Sequence, residues 1–238
     1  MNALNSQNKK LNINLRKSYA KFFSVFMVCC FCFASCAWQQ EEEMSANDEY
    51  RAARYLELIE KVNSGRTYDT AFVGDSLTNM GDFENVFADK NCINLGIAGD
   101  TIRDCRSRLH LLQQSGAKKV FLLIGINSFI VDHDNFNIVL NSYEELIKEI
   151  KEACPDIEIH LESLLPVSVW HDSYINPAEM AVFNANMKQI AEKYGAEYID
   201  IHTFYDVDGY MDRSLTTDGV HLTAAGYQDW YDTVADYL

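Results

Sequence analysis

Residues 69–77 read Asp-Thr-Ala-Phe-Val-Gly-Asp-Ser-Leu. An apolar run closed by Gly-Asp-Ser predicts a buried strand over 69–74 that ends in a tight turn. Similar short apolar runs follow at 91–95, 119–126, 157–164 and 197–201. Helical patterns lie between them near 101–114, 138–153 and 178–194, and a last one covers 223–237. Ahead of the first strand, Tyr55, Leu58, Ile59 and Val62 fall at helical spacing before an Asn63-Ser64-Gly65 stop. Strands that are apolar throughout, alternating with amphipathic helices, imply a parallel sheet covered on both faces. The expected fold class is therefore α/β: a three-layer α/β/α sandwich with a parallel, about five-stranded sheet, forming one domain over 51–238. Ligands of such sheets bind beyond the carboxyl ends of the strands, so the residues after each strand carry the information.

The chain has 238 residues, 20 Lys+Arg against 35 Asp+Glu, and a formal net charge of −15. That acidic balance argues against nucleic acid as a partner, because phosphate binding needs a basic surface. The charge is unevenly spread. Residues 1–40 hold Lys9, Lys10, Arg16, Lys17 and Lys21 and no acidic residue, and Phe22 to Ala37 is free of charge. A basic head followed by an apolar core shorter than the ~20 residues that span a bilayer predicts a signal peptide over 1–35. Ala34-Ser35 before Cys36 resembles the lipobox of bacterial lipoproteins, with Phe33 where that pattern usually has Leu. The resemblance implies a lipid anchor on Cys36, a tether over 36–50 and a place in the bacterial cell envelope. Plain secretion and an uncleaved anchor are the alternatives. Of the seven Cys, Cys92, Cys105 and Cys154 would remain in the domain without any Cys-x-x-Cys. Neither a disulfide framework nor a zinc site is expected from that spacing.

Four blocks stand at strand ends or just before the last helix. They are Gly74-Asp75-Ser76-Leu77, Asn94-Leu95-Gly96-Ile97-Ala98-Gly99-Asp100-Thr101, Gly125-Ile126-Asn127-Ser128 and Thr217-Asp218-Gly219-Val220-His221-Leu222-Thr223. Together they resemble the SGNH (GDSL) hydrolase family, over about residues 68–238, and in particular its carbohydrate-esterase and platelet-activating-factor-acetylhydrolase-like members. The resemblance implies the flavodoxin-like fold of that family and a serine esterase acting through an acyl-enzyme, with no cofactor and no metal.

Residue chemistry agrees with that implication. Ser76 is the expected nucleophile, which needs an adjacent base because a hydroxyl is barely acidic at neutral pH. His221 is the expected base, and Asp218 three residues earlier can orient its ring. Asp75 is expected to cap the helix that follows it. The family assigns the oxyanion donors to the Ser76 amide, the Gly96 amide and the Asn127 side chain. Ser128 stands where the family usually has Asp. Trp170 and His171 follow the fourth strand and are candidates for substrate contact, by stacking on a sugar face or an acyl chain. Asp206-Val207-Asp208-Gly209 with Asp212 stops one ligand short of a calcium loop and reads as a solvated turn. Asp132-His133-Asp134 is a polar loop that can line the cleft, and His110 and His160 read as structural. The expected substrate is a short acyl ester, acetyl above all, on a carbohydrate. The competing expectations are a lysophospholipase or thioesterase of the same fold, and a non-catalytic glycan-binding module.

Overall fold

The computed structural model describes residues 45–238. The expected signal peptide, Cys36 and most of the expected tether lie outside the described residues. The first helix, α1 (Ala46–Val62), begins upstream of the expected domain start, inside the stretch assigned to the tether. Among the described residues no helix is long and apolar enough to cross a membrane.

Five parallel strands follow, β1 (Thr70–Gly74), β2 (Cys92–Asn94), β3 (Lys119–Leu123), β4 (Glu158–Glu162) and β5 (Glu197–Ile199), in the order β2-β1-β3-β4-β5. This is the order of flavodoxin-like sheets, with the strand order reversing between β1 and β3. The connections carry α2 (Ser76–Met80), α3 (Phe83–Val86), α4 (Ile102–Ser107), α5 (Leu109–Ser115), α6 (Ile126–Ile130), α7 (Phe136–Ala153) and α8 (Pro177–Tyr194). A small hairpin, β6 (Asp206–Val207) and β7 (Tyr210–Met211), precedes the last helix α9 (Ala224–Ala235). Its turn, Asp208-Gly209, takes left-handed φ at both positions (53° and 85°), the form that joins two-residue hairpins. The stretch Asp206-Val207-Asp208-Gly209 is thus part of a hairpin, in keeping with its reading as a turn.

The two faces of the sheet follow from register. Phe72, Phe121 and His160 are aligned across β1, β3 and β4. Their rings stack in a row, with centroids 5.0 and 4.7 Å apart. On that face Phe83 of α3 lies 4.0 Å from Phe72, and Trp230 and Tyr231 of α9 meet Phe83 edge-on. Residues one step along each strand point to the other face, where α7 packs on α4, α5 and α8. His160 and His110 are structural, bonding to Glu158 (2.8 Å) and to the Tyr55 hydroxyl (3.2 Å). Cys92, Cys105 and Cys154 are free thiols, the first two buried.

The predicted helix near 101–114 is broken in two at Arg108. That side chain turns inward instead of continuing the amphipathic pattern, for a reason that belongs to the site below. The strands expected to reach 126 and 164 stop at Leu123 and Glu162, because the chain leaves the sheet to build site loops.

Glu162, at the end of β4, is buried, and its carboxyl receives the Trp230 indole N–H at 2.5 Å. Burial pushes its pKa up to about 8, with the Trp230 hydrogen bond opposing. The unfolded chain would ionise this group near pH ~4.3. Between the two values the folded state holds the extra proton, so stability falls as pH rises from about 4 to about 8. Glu162→Gln keeps an acceptor for Trp230 and is expected to flatten part of that fall. Thermal melts from about pH 5 to 8 should show a wild-type decline of several degrees, roughly 5 °C, that the variant reduces. Parallel curves for the two proteins would refute the assignment.

Candidate active site

Ser76 is the first residue of α2, directly after β1, and is 8% exposed. Asp75 caps this helix, its Oδ1 accepting the Leu77 amide at 3.0 Å. Burial raises the Asp75 carboxyl to about 7, with its bond from the Leu77 amide opposing. As the first helical residue, Ser76 has an amide without an intrahelical acceptor.

His221 arrives from the other end of the chain. Its Nε2 lies 2.8 Å from Ser76 Oγ, and its Nδ1 lies 2.6 Å from Asp218 Oδ2. The other Asp218 oxygen accepts the amides of Val220 (3.0 Å) and His221 (2.8 Å), folding 218–221 into a tight loop. The Thr217 amide closes the loop onto the His221 carbonyl at 2.8 Å. The Tyr227 hydroxyl, on α9, donates to the Leu77 carbonyl at 2.8 Å and ties this loop's helix to the nucleophile's. Burial raises the Asp218 carboxyl, but its bonds to the His221 ring and to the two amides outweigh that and hold it at about 2. An ionised carboxylate only accepts, so Nδ1 carries the ring proton and Nε2 presents a lone pair to the Ser76 hydroxyl. This is the proton arrangement that lets an imidazole deprotonate a serine during attack.

Asn127 sits in α6, half-buried, and one of its amide protons goes to the Asp100 carbonyl at 3.0 Å. The second remains for a ligand. Ser128, in place of the usual Asp, accepts the Ile102 amide at 3.2 Å and so joins α6 to the start of α4.

Gly96 does not hold the position expected of it. Its amide donates to Asn94 Oδ1 at 2.8 Å, and it is buried. A Cβ there would overlap the backbone of Thr78 and Asn79, so glycine serves close packing of β2's end on α2. The glycine with a free amide is Gly99, which makes no hydrogen bond among the described residues. It is the third residue of the turn closed by Asp100 N–H to Ile97 C=O (3.2 Å), and its φ is +79°. Type II turns demand that conformation at that place, which is where glycine is favoured. Turn chemistry in Ile97-Ala98-Gly99-Asp100 was the signal available for finding it.

Trp170 and His171 lie in the short 3-10 turn Val169–His171. Trp170 is 68% exposed, and its Cε3 lies 3.5 Å from the Cβ position of Gly219, next to Asp218. Tyr174, beyond His171, stacks on His133 at 5.5 Å, so the loops after β3 and β4 meet in an aromatic rim. A recess of about 10 Å³ is lined by Asp75 and Leu77, the neighbours of Ser76, and by Ile126, Leu164, Val167 and Val220 among others. A larger groove, about 1100 Å³, runs along β5 between α8 and α9 and includes none of the residues above.

Residues 72–228 match the model of the GDSL-like Lipase/Acylhydrolase family. No curated protein matches the sequence. Among solved structures, a candidate platelet activating factor from Streptococcus pneumonia is 26% identical, with 88% of this chain and 98% of that chain covered and a TM-score of 0.64. A GDSL-like lipase from Bacteroides thetaiotaomicron is 18% identical over 77% of this chain and 96% of its own, with a TM-score of 0.68. An acetyl-xylooligosaccharide esterase from Geobacillus Stearmophilus is 21% identical, covering 72% and 94%, with a TM-score of 0.58. The last two likenesses speak to the fold alone.

Proposed function

Because the chain belongs to the GDSL-like lipase/acylhydrolase family, a family of carboxylic ester hydrolases, we propose that it is a serine esterase that removes short acyl groups, chiefly acetyl, from carbohydrate. The observation that carries the esterase reading is the Ser76–His221–Asp218 relay, and the likeness to an acetyl-xylooligosaccharide esterase supports the choice of acetyl.

Ser76 Oγ attacks the ester carbonyl carbon while His221 Nε2 takes its proton. The oxyanion so formed is received by the Ser76 and Gly99 amides and by the free amide proton of Asn127, each such donor worth about 10²–10³ in turnover. Collapse breaks the bond to the alcohol oxygen, which leaves with the proton from His221. Water, deprotonated by the same imidazole, then releases acetate from Ser76. Trp170 and the His133–Tyr174 pair offer flat faces to the sugar that departs. With a signal peptide over 1–35 and lipid on Cys36, this chemistry would act on glycans outside the cytoplasmic membrane.

Two measurements test the substrate reading. Across p-nitrophenyl esters from acetyl to decanoyl, kcat/KM should be highest for acetyl and fall at least ~10-fold by octanoyl, since unaccommodated methylenes cost about 1 kcal/mol or more each. A profile that rises with chain length would point to a lipase instead. Trp170→Ala should lower kcat/KM on acetylated xylo-oligosaccharides about 5-fold more than on p-nitrophenyl acetate, the scale of one lost aromatic contact. Equal losses on both substrates would remove the sugar from the rim.

A further inference from the structure

Helix α1 lies ahead of the residues matched by the family model, yet two consecutive turns of it reach the loop that carries Gly99. The Tyr50 hydroxyl donates to Asn79 Oδ1 at 2.8 Å, and the same oxygen accepts the Ala98 amide at 3.2 Å. Arg51 donates to Asp100 Oδ1 at 2.9 Å and pairs with Asp104 at 3.1 Å. Arg54 donates to the carbonyls of Asn94 (2.9 Å) and Gly96 (3.2 Å). Residues 94–104 are therefore bound from outside at both ends and in the middle.

From inside, the same loop is bound by Arg108, which explains the break between α4 and α5. Its guanidinium, buried, donates to Asp100 Oδ2 (2.5 Å), to the Leu95 carbonyl (2.6 Å) and to the Gly74 carbonyl (2.9 Å). Asp100, 2% exposed, thus has one carboxylate oxygen on Arg51 and the other on Arg108. Its backbone does the functional work: the carbonyl holds the Asn127 amide, and its own N–H closes the turn that aims Gly99. Two carboxylates, Asp100 and Asp104, face two guanidiniums, so the cluster is neutral only while Arg51 is docked. Charge-assisted bonds of this kind hold a geometry more stiffly than neutral ones.

We propose that Arg51 and Arg54 are positioning residues, and that α1 acts as a strap whose docking sets the oxyanion donors. The inference rests on the acyl-enzyme reading above. It makes turnover depend on an element outside the family's core, adjacent to the segment that leads toward the N-terminus.

The test uses Arg51→Gln, Arg51→Lys and Arg51→Gln combined with Arg54→Gln, assayed on p-nitrophenyl acetate. Active sites are counted by stoichiometric release of p-nitrophenol from diethyl p-nitrophenyl phosphate, so that misfolded protein is not read as a slow enzyme. A misaimed donor set weakens transition-state binding and not substrate binding. The double variant should lose about 10–100-fold in kcat per titrated site with KM changed less than ~3-fold, and Arg51→Lys should recover part of the Arg51→Gln loss. An unchanged kcat per titrated site, or a loss carried by KM alone, would overturn the proposal. Ser76→Ala run alongside separates the two claims. If wild type and Ser76→Ala are equally slow, the esterase reading fails. If Ser76→Ala is silent and the arginine variants are unaffected, only the strap fails.

Discussion

Replacing Ser76 with alanine is expected to lower kcat on p-nitrophenyl acetate by about 10⁴–10⁶-fold while leaving the melting temperature within about 2 °C. Among the described residues, the side chain's only hydrogen bond is to His221. The α2 cap belongs to Asp75, and the Ser76 amide is retained by alanine. Nothing structural is therefore removed except a hydroxyl, and the loss reports chemistry. His221→Ala should fall into the same range, and the two losses should not add, because a nucleophile and its base act as one unit. Turnover by Ser76→Ala equal to wild type would leave the fold without its proposed activity and would favour a module that binds glycans without hydrolysing them.

Asp218→Asn is expected to cost about 10²–10⁴-fold in kcat near neutral pH, with the loop intact. The amide oxygen of asparagine can still accept the Val220 and His221 amides that shape residues 218–221. Its NH₂ would then face His221 Nδ1, where the carboxylate now stands at 2.6 Å. That donor forces the ring proton onto Nε2, which can no longer take the Ser76 proton. The variant should keep its structure and lose its tautomer. Since hydrogen bonds hold the Asp218 carboxyl at about 2, protonation of this group is lost from the wild-type pH profile above about pH 3. The decisive comparison is kcat with titrated active sites: a loss smaller than ~10-fold would show that Asp218 only shapes the loop.

The sheet was legible because its evidence is local. Each strand is an apolar run a few residues long, each run ends in a block of turn residues, and α/β alternation leaves few ways to connect them. Ser76, Asn127, Asp218 and His221 were legible for the same reason, as short blocks at strand ends. Where a residue's role depended on a partner far along the chain, the pattern misled. Gly96 and Gly99 lie in the same block, three positions apart, and only the bond from Gly96 to Asn94 reveals which amide is spent on structure. Arg108 lies within the helix expected near 101–114, but it turns inward to three acceptors, from the end of β1, the residue after β2 and the turn before α4. Glu162 falls inside the apolar run expected over 157–164, and it is buried against an indole from the last helix.

Sequence alone determined the class of fold of this protein and singled out the side chains that meet at the candidate site, since hydrophobic periodicity and side-chain chemistry are properties each short segment carries with it. Tertiary structure alone decided how those groups are aimed. The Ser76–His221 contact joins residues 145 positions apart. The loop over residues 94–104 is bound by Arg51 and Arg54 on one side and by Arg108 on the other. Distances and proton positions of that kind exist only after the chain has closed on itself, because they are set by desolvation and by acceptors that no single segment contains.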